Sequence, residues 1–144
     1  MLHSFVRNYL HITWSTKNRV RLFTGSSKIE LKNFILEKSK EIQCPILTIN
    51  VQPEHIHLLI DLPANVCLSD FTKMIKGSSS HWINEQNLIQ GKFSWQRGYG
   101  AFSVSASQLD AVKKYIRNQD EHHKRKNFEE EYQEWKKNYG FFND

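Results

Sequence analysis

The sequence predicts an α+β domain in which a four-stranded antiparallel sheet carries two helices on one face. Three observations predict it. Residues 9–14 and 55–61 alternate apolar and polar side chains, the period of two that turns successive strand residues to opposite faces. Two longer stretches repeat apolar residues at three- and four-residue spacing, the period of a helix with one buried side. The signals follow the order strand, helix, strand, strand, helix, strand, which packs both helices against one side of one sheet.

The first strand spans residues 9–14, with Leu10, Ile12 and Trp14 on one face and Tyr9, His11 and Thr13 on the other. A polar loop follows over residues 15–21. Ser27 and Glu30 have the spacing of a capping box, in which each side chain satisfies a backbone N–H left unpaired by the first helical turn. Leu31, Phe34, Ile35 and Ile42 give that helix its apolar side, and it ends before Pro45. Residues 46–51 and 55–61 form a hairpin around Gln52, Pro53 and Glu54, with the proline at a bend where no ladder hydrogen bond is asked of it.

Leu68, Phe71, Ile75 and Trp82 mark the second helix, which tolerates Gly77 at a cost of about 1 kcal/mol relative to alanine. Residues 93–104 (FSWQRGYGAFSV) hold a strand interrupted near Gly98 and Gly100. Ser107 and Asp110 cap a third helix that runs through about residue 121. Phe128, Tyr132, Trp135 and Tyr139 line one face of a tail helix suited to docking on the body or on another subunit. This order is the split βαβ plan of ferredoxin-like folds, a βαββαβ sandwich whose second sheet face stays open for a ligand.

With 144 residues and 39% hydrophobic content, the chain suits one domain over residues 1–144, comprising a core of about residues 5–122 and a helical tail of about residues 127–144. A net charge of +5 leans toward an anionic partner without identifying it. Cys44 and Cys67 form no C-x-x-C unit, which excludes a dithiol motif or a zinc cluster made of cysteines alone; buried, reduced thiols are expected. No apolar run suits a secretory signal or a membrane span, so a soluble cytoplasmic protein without a membrane partner is expected.

Along residues 55–61, Ile56, Leu58 and Ile60 take one face, so His55 and His57 share the other. Two imidazoles at i and i+2 can hold one divalent cation, with a third ligand from elsewhere. H-x-H alone is a weak motif, because alternating polar residues are what any solvated strand face needs. Tyr9, His11 and Thr13 add aromatic and polar groups to the same region, where a bare solvent face would more often carry Lys and Glu.

On the third helix Leu109, Val112 and Ile116 form the buried stripe, and Tyr115 and Gln119 share its edge four residues apart. A tyrosine hydroxyl can attack a phosphodiester and conserve the bond as a phosphotyrosine, which a later hydroxyl can redirect without a nucleotide cofactor. Its ordinary pKa near ~10 means that it needs help, which a cation on the scissile phosphate supplies. Three neutral ligands, His55, His57 and Gln119, would leave the cation its full charge. Tyr115 equally suits a helix edge that packs its ring and wets its hydroxyl. Lys113, Lys114, Arg117, Lys124, Arg125 and Lys126, with His122 and His123 among them, make a basic stretch around it that suits phosphate contacts or a solvated helix side.

Together, E-H-I-H-L-L-I at 54–60, Y-I-R-N-Q at 115–119 and the basic H-H-K-R-K after it resemble the single-tyrosine HUH transposases. That family places His, a bulky hydrophobic residue and His on a central strand, and Y-x-x-x-Q on a following helix. The resemblance runs from about residue 6 to residue 126. It includes H-I-T-W-S-T-K-N-R at 11–19 and W-Q-R-G-Y-G-A-F-S-V-S at 95–105, which look like the branch related to repeat-associated tyrosine transposases.

The resemblance implies metal ligation by His55, His57 and Gln119, with Tyr115 as nucleophile. It further implies Mg2+ or Mn2+ as cofactor and single-stranded DNA with hairpins as substrate, in a homodimer where the tyrosine helix of one subunit can complete the site of the other in trans. Lys17, Arg19, Arg21, Lys73, Lys76, Lys114 and Arg117 are candidate DNA-backbone contacts. Trp95 and Tyr99 suit stacking on unpaired bases, or core packing. Two other readings fit the same residues: a nucleic-acid-binding module without catalysis, and a metal-dependent phosphodiesterase that uses water.

Overall fold

In a computed structural model of the chain, which describes residues 4–122 and 126–138, the sheet has the order β2-β3-β1-β4 and is antiparallel throughout. The strands are β1 (Tyr9–Ser15), β2 (Ile46–Val51), β3 (His55–Asp61) and β4 (Gly100–Ser103). Helix α1 (Ser26–Glu41) connects β1 to β2, and α2 (Leu68–Glu85) connects β3 to β4. The ferredoxin-like plan expected from the sequence is therefore the fold.

One sheet face builds the main core. Ile12 and Trp14 of β1 and Ile56, Leu58 and Ile60 of β3 pack against Leu31 and Ile35 of α1 and Phe71, Ile75 and Ile83 of α2. An aromatic corner closes its edge, where Trp95 meets Trp14, Phe23 and Phe93 edge-on or tilted at centroid separations of 4.7–5.9 Å. The Trp95 indole N–H donates to Ser79 Oγ at 2.9 Å, so the polar end of a buried ring is satisfied. Trp95 is thus a core residue, whereas Tyr99 stays partly exposed.

The opposite sheet face, expected to stay open, is covered. Helix α3 (Leu109–Arg117) lays Leu109, Val112 and Ile116 on Leu59, Val104 and Tyr9. Helix α5 (Phe128–Asn138) lays Phe128 and Trp135 beside Phe102. Both faces of β3 are consequently buried. The seat of α5 depends on Gly100, where a Cβ would stand 3.1 Å from ring atoms of both Tyr132 and Phe102. Tyr139, the last residue of the expected tail stripe, lies outside the described residues, as do His123, Lys124 and Arg125 of the basic stretch.

Several local expectations are corrected. Ser27 does not form a capping box with Glu30; its hydroxyl bridges the Thr24 carbonyl and N–H one turn earlier, and Gly25 occupies the cap with φ of 52°. Ser107 lies in a short 3-10 turn, so α3 starts at Leu109 without a side-chain cap. The third helix is interrupted at Asn118, and Gln119 opens a separate short helix, α4 (Gln119–His122). The aromatic stretch has regular pairing only over β4, with Trp95 bridging Thr16 alone. Cys44 is buried but Cys67 is exposed just before α2, and both are free. No helix among the described residues is long and apolar enough to cross a membrane.

Leu58 is fully buried on the core side of the strand that carries the histidines. Leu58→Ala should lower unfolding free energy by about 2–5 kcal/mol, read from denaturant titration. A loss below about 1 kcal/mol would show that the core does not clamp this strand as described.

Candidate active site

The antiparallel register sets Ser15 opposite His55, Thr13 opposite His57 and His11 opposite Leu59. His11, His55 and His57 therefore lie on one sheet face, and all three are buried. Their nitrogens form a chain. His55 Nδ1 meets Glu54 Oε1 at 2.6 Å, His55 Nε2 meets His57 Nε2 at 3.1 Å, and His57 Nδ1 meets His11 Nε2 at 2.9 Å. Arg21 donates to the other oxygen of Glu54 at 2.6 Å, which fixes the carboxylate. Glu54 accepts the Nδ1 proton of His55 and leaves the lone pair on Nε2, the outer-sphere arrangement that orients imidazoles for metal binding.

This donor set fits a divalent cation. Two nitrogens each about 2.1 Å from one ion stand about 3.0–3.4 Å apart for right-angled to tetrahedral geometry, and the two Nε2 atoms already lie at 3.1 Å. For His57 Nε2 to be a ligand, its Nδ1 must carry the proton and donate to His11 Nε2. Burial makes His11 a suitable acceptor, because it depresses the pKa of that imidazole to about 4 and keeps it neutral.

Helix α5 closes the site from above. The Phe128 ring stacks on His55 at 4.1 Å, and the Trp135 ring stands edge-on to His57 at 5.2 Å and to His11 at 5.1 Å. Between them Glu131 is buried, with Oε1 3.5 Å from His57 Nε2. His55, His57 and Glu131 each offer an atom within 4.8 Å of the others. Burial pushes the Glu131 carboxyl up to about 7, against the opposing influences of Tyr115 and Lys126.

Tyr115 joins this group. Its ring lies 6.2 Å from those of His57 and His11 and 5.7 Å from that of Trp135. Burial first, and the neighbouring Glu131 second, hold the phenol well above its ordinary pKa, so with α5 seated the hydroxyl keeps its proton. Gln119 is fully buried, and its amide donates to the Tyr115 carbonyl at 3.2 Å across the break at Asn118. Tyr115 thus stands beside the two histidines of its own chain, and Gln119 is held against Tyr115.

The basic residues divide. Arg19 and Arg21 border the histidine site; Arg19 pairs with Glu129 and stands over the Phe128 ring at 5.3 Å. Lys17 and Arg19 belong to the 3-10 turn after β1, and Asn18 and Arg19 both adopt positive φ, near 58° and 55°. Lys76 donates to the carbonyls of Gln96 and Gly98 at 2.8 and 2.7 Å, fastening the glycine-bearing loop. Lys73 and Lys114 are exposed, and Arg117 borders a groove with Leu36, Leu47 and Ile49.

Glu54, His11 and Glu131 were not reached by sequence reasoning as site residues. Glu54 carried a signal, an acid directly before the first histidine. The His11 contact depends on strand register, and the Glu131 contact on where the tail docks.

Residues 4–119 match the family described as transposase IS200 like. Over 114 residues the chain is 25% identical to the ISDra2 transposase TnpA of Deinococcus radiodurans, covering 76% of this chain and 81% of that one. It is 27% identical over 119 residues to the transposase for insertion sequence element IS200 of Salmonella typhimurium, covering 79% and 78%. The fold also resembles the structure of a REP-associated tyrosine transposase bound to a REP hairpin, with a TM-score of 0.65, 17% identity and coverage of 85% of this chain and 73% of that one.

The buried His11 makes stability depend on pH in metal-free protein. Its folded pKa, near 4, lies below the unfolded value of 6.5, so the unfolded chain gains a proton first and stability is lost as pH falls from 6.5 toward 4. Thermal unfolding in EDTA should show this loss, at most on the order of 3 kcal/mol, and His11→Gln should flatten it. Equal pH slopes in parent and variant would remove the assignment.

Proposed function

Since the chain belongs to the IS200-like transposase family, we propose that it moves DNA by cleaving and rejoining single strands that carry hairpins, using Tyr115 as the nucleophile. The observation that supports this reading most is the placement of Tyr115, half-buried and with Gln119 bonded to its backbone, beside the buried pair His55 and His57. A pure binding surface has no use for a phenol beside two imidazoles whose outer nitrogens are both clamped. A hairpin substrate is supported by the structure of a REP-associated tyrosine transposase of the same fold, which is bound to one.

In the first step Tyr115 Oη bonds to phosphorus and the bond from phosphorus to the 3′ oxygen breaks. The phenol proton leaves and the departing 3′ oxygen takes one up, giving a 5′-phosphotyrosine and a free 3′ hydroxyl. Attack by another strand's 3′ hydroxyl on the same phosphorus releases Tyr115 and rejoins the DNA, so no external energy source is needed. A divalent cation, Mg2+ or Mn2+, held by His55, His57 and Gln119, would neutralise charge on the phosphate. Glu54 and His11 hold the two imidazoles in place. Arg19, Arg21 and Lys17 are the backbone contacts nearest the reacting phosphate, with Lys73, Lys76, Lys114 and Arg117 farther out.

Because Tyr115 reaches the histidines of its own chain, placement in cis is favoured, and a homodimer acting in trans would first have to lift α3 from the sheet. The fully buried histidines also require α5 to leave before a strand can enter. Mixing the protein with hairpin-bearing single-stranded DNA and Mn2+ should give a covalent adduct on a denaturing gel. Tyr115→Phe should abolish the adduct, and His55→Ala should reduce it by about 100-fold or more. Cleavage that persists in Tyr115→Phe would replace this mechanism with hydrolysis by water, and binding without cleavage would leave only a binding module. The double variant Phe128→Ala, Trp135→Ala should form the adduct faster than the parent chain; a slower rate would contradict the covering role of α5.

A further inference from the structure

Glu131 is a carboxylate buried by a helix that docks over two histidines, with 4% of its surface exposed. Its Oε1 makes no hydrogen bond among the described residues and faces His57 Nε2. Tyr115 bonds to the carboxylate but leaves Oε1 unsatisfied; a buried carboxylate oxygen without a donor is costly, and a nearby cation is the usual remedy. The surroundings supply one place for it. His55 Nε2 and His57 Nε2 are 3.1 Å apart, and the three donor atoms lie within 4.8 Å of one another. Gln119, meanwhile, turns its amide N–H toward the Tyr115 carbonyl.

The acids of α5 also stand where a DNA backbone would be expected. Glu129 takes the Arg19 guanidinium, and two residues on Glu131 takes the position beside the histidines. A carboxylate and a phosphate oxygen satisfy the same partners, a guanidinium and a hard cation.

We propose that Glu131 is a ligand of the metal site, supplied by α5 in the place of a phosphate oxygen, so that a bound cation fastens this helix over the site. The proposal rests on His55 and His57 being the metal pair. It makes metal occupancy and seating of α5 mutually reinforcing, as linkage requires of two events that share one contact. An entering phosphate would then exchange with Glu131 at the cation while the two imidazoles stay in place.

The test is calorimetric titration of the full chain with MnCl2 alone, without DNA, comparing the parent with Glu131→Gln and His57→Ala. Glu131→Gln is nearly isosteric, and circular dichroism checks that it keeps its helices. Its Mn2+ affinity should fall by about tenfold or more, while His57→Ala should lose most binding. As a second readout, Mn2+ should slow tryptic cleavage after the exposed Lys126 in the parent but not in Glu131→Gln. If Glu131→Gln binds Mn2+ as tightly as the parent and is equally protected, while His57→Ala is deficient, Glu131 is not a ligand and the histidine site stands. If His57→Ala binds as the parent does, or the parent takes up no Mn2+, the histidine reading falls and this proposal falls with it.

Discussion

The pairing of β1 with β3 sets Ile12 opposite Leu58 and Thr13 opposite His57, and both faces of that pair are buried. A slip of one residue would send Ile56, Leu58 and Ile60 to the imidazole side and drive His55 and His57 into the core between α1 and α2. No nearby register satisfies both faces, because one offers only hydrocarbon and the other supplies Glu54 and His11 as partners. The hydrophobic core is therefore what holds the histidines to their geometry. Helices α3 and α5 find their seats on a surface that this pairing has already ordered.

Much of this was legible in the residues. Alternation in β1 and β3 identified both faces, helical spacing identified α1 and α2, and the joint presence of His55, His57, Tyr115 and Gln119 pointed to a candidate site. Other features depend on contacts that no local pattern contains. Ser27 had two ways to satisfy its hydroxyl, and the tight turn with Thr24 won over the box with Glu30. The interruption at Asn118 leaves Gln119 still in contact with Tyr115, so the neighbourhood expected from a continuous helix persists although the helix is broken. The sheet face read as open is closed by a segment whose apolar stripe was recognised but whose target was not.

That closure alters the chemistry available to each group. Desolvation keeps His11 neutral and able to accept a proton from His57, while it holds the Tyr115 phenol protonated. The same burial thus readies one part of the site and silences another. Arg19 is engaged twice by the tail, through Glu129 and through the Phe128 ring, so a residue suited to phosphate is occupied by the chain itself.

Gly100 gives this arrangement an unexpected point of control. Only hydrogen fits without adjustment between β4 and the Tyr132 ring, since an added methyl group would meet carbon at 3.1 Å and the ring would have to give by a few tenths of an ångström. Position 100 lies on the edge strand opposite Thr13 and contributes no functional group. Its smallness nonetheless decides how closely the tail can approach. A mutational drift to alanine there would act as a spacer under one end of a lid, changing how often the groups of the candidate site meet solvent while leaving every one of them intact.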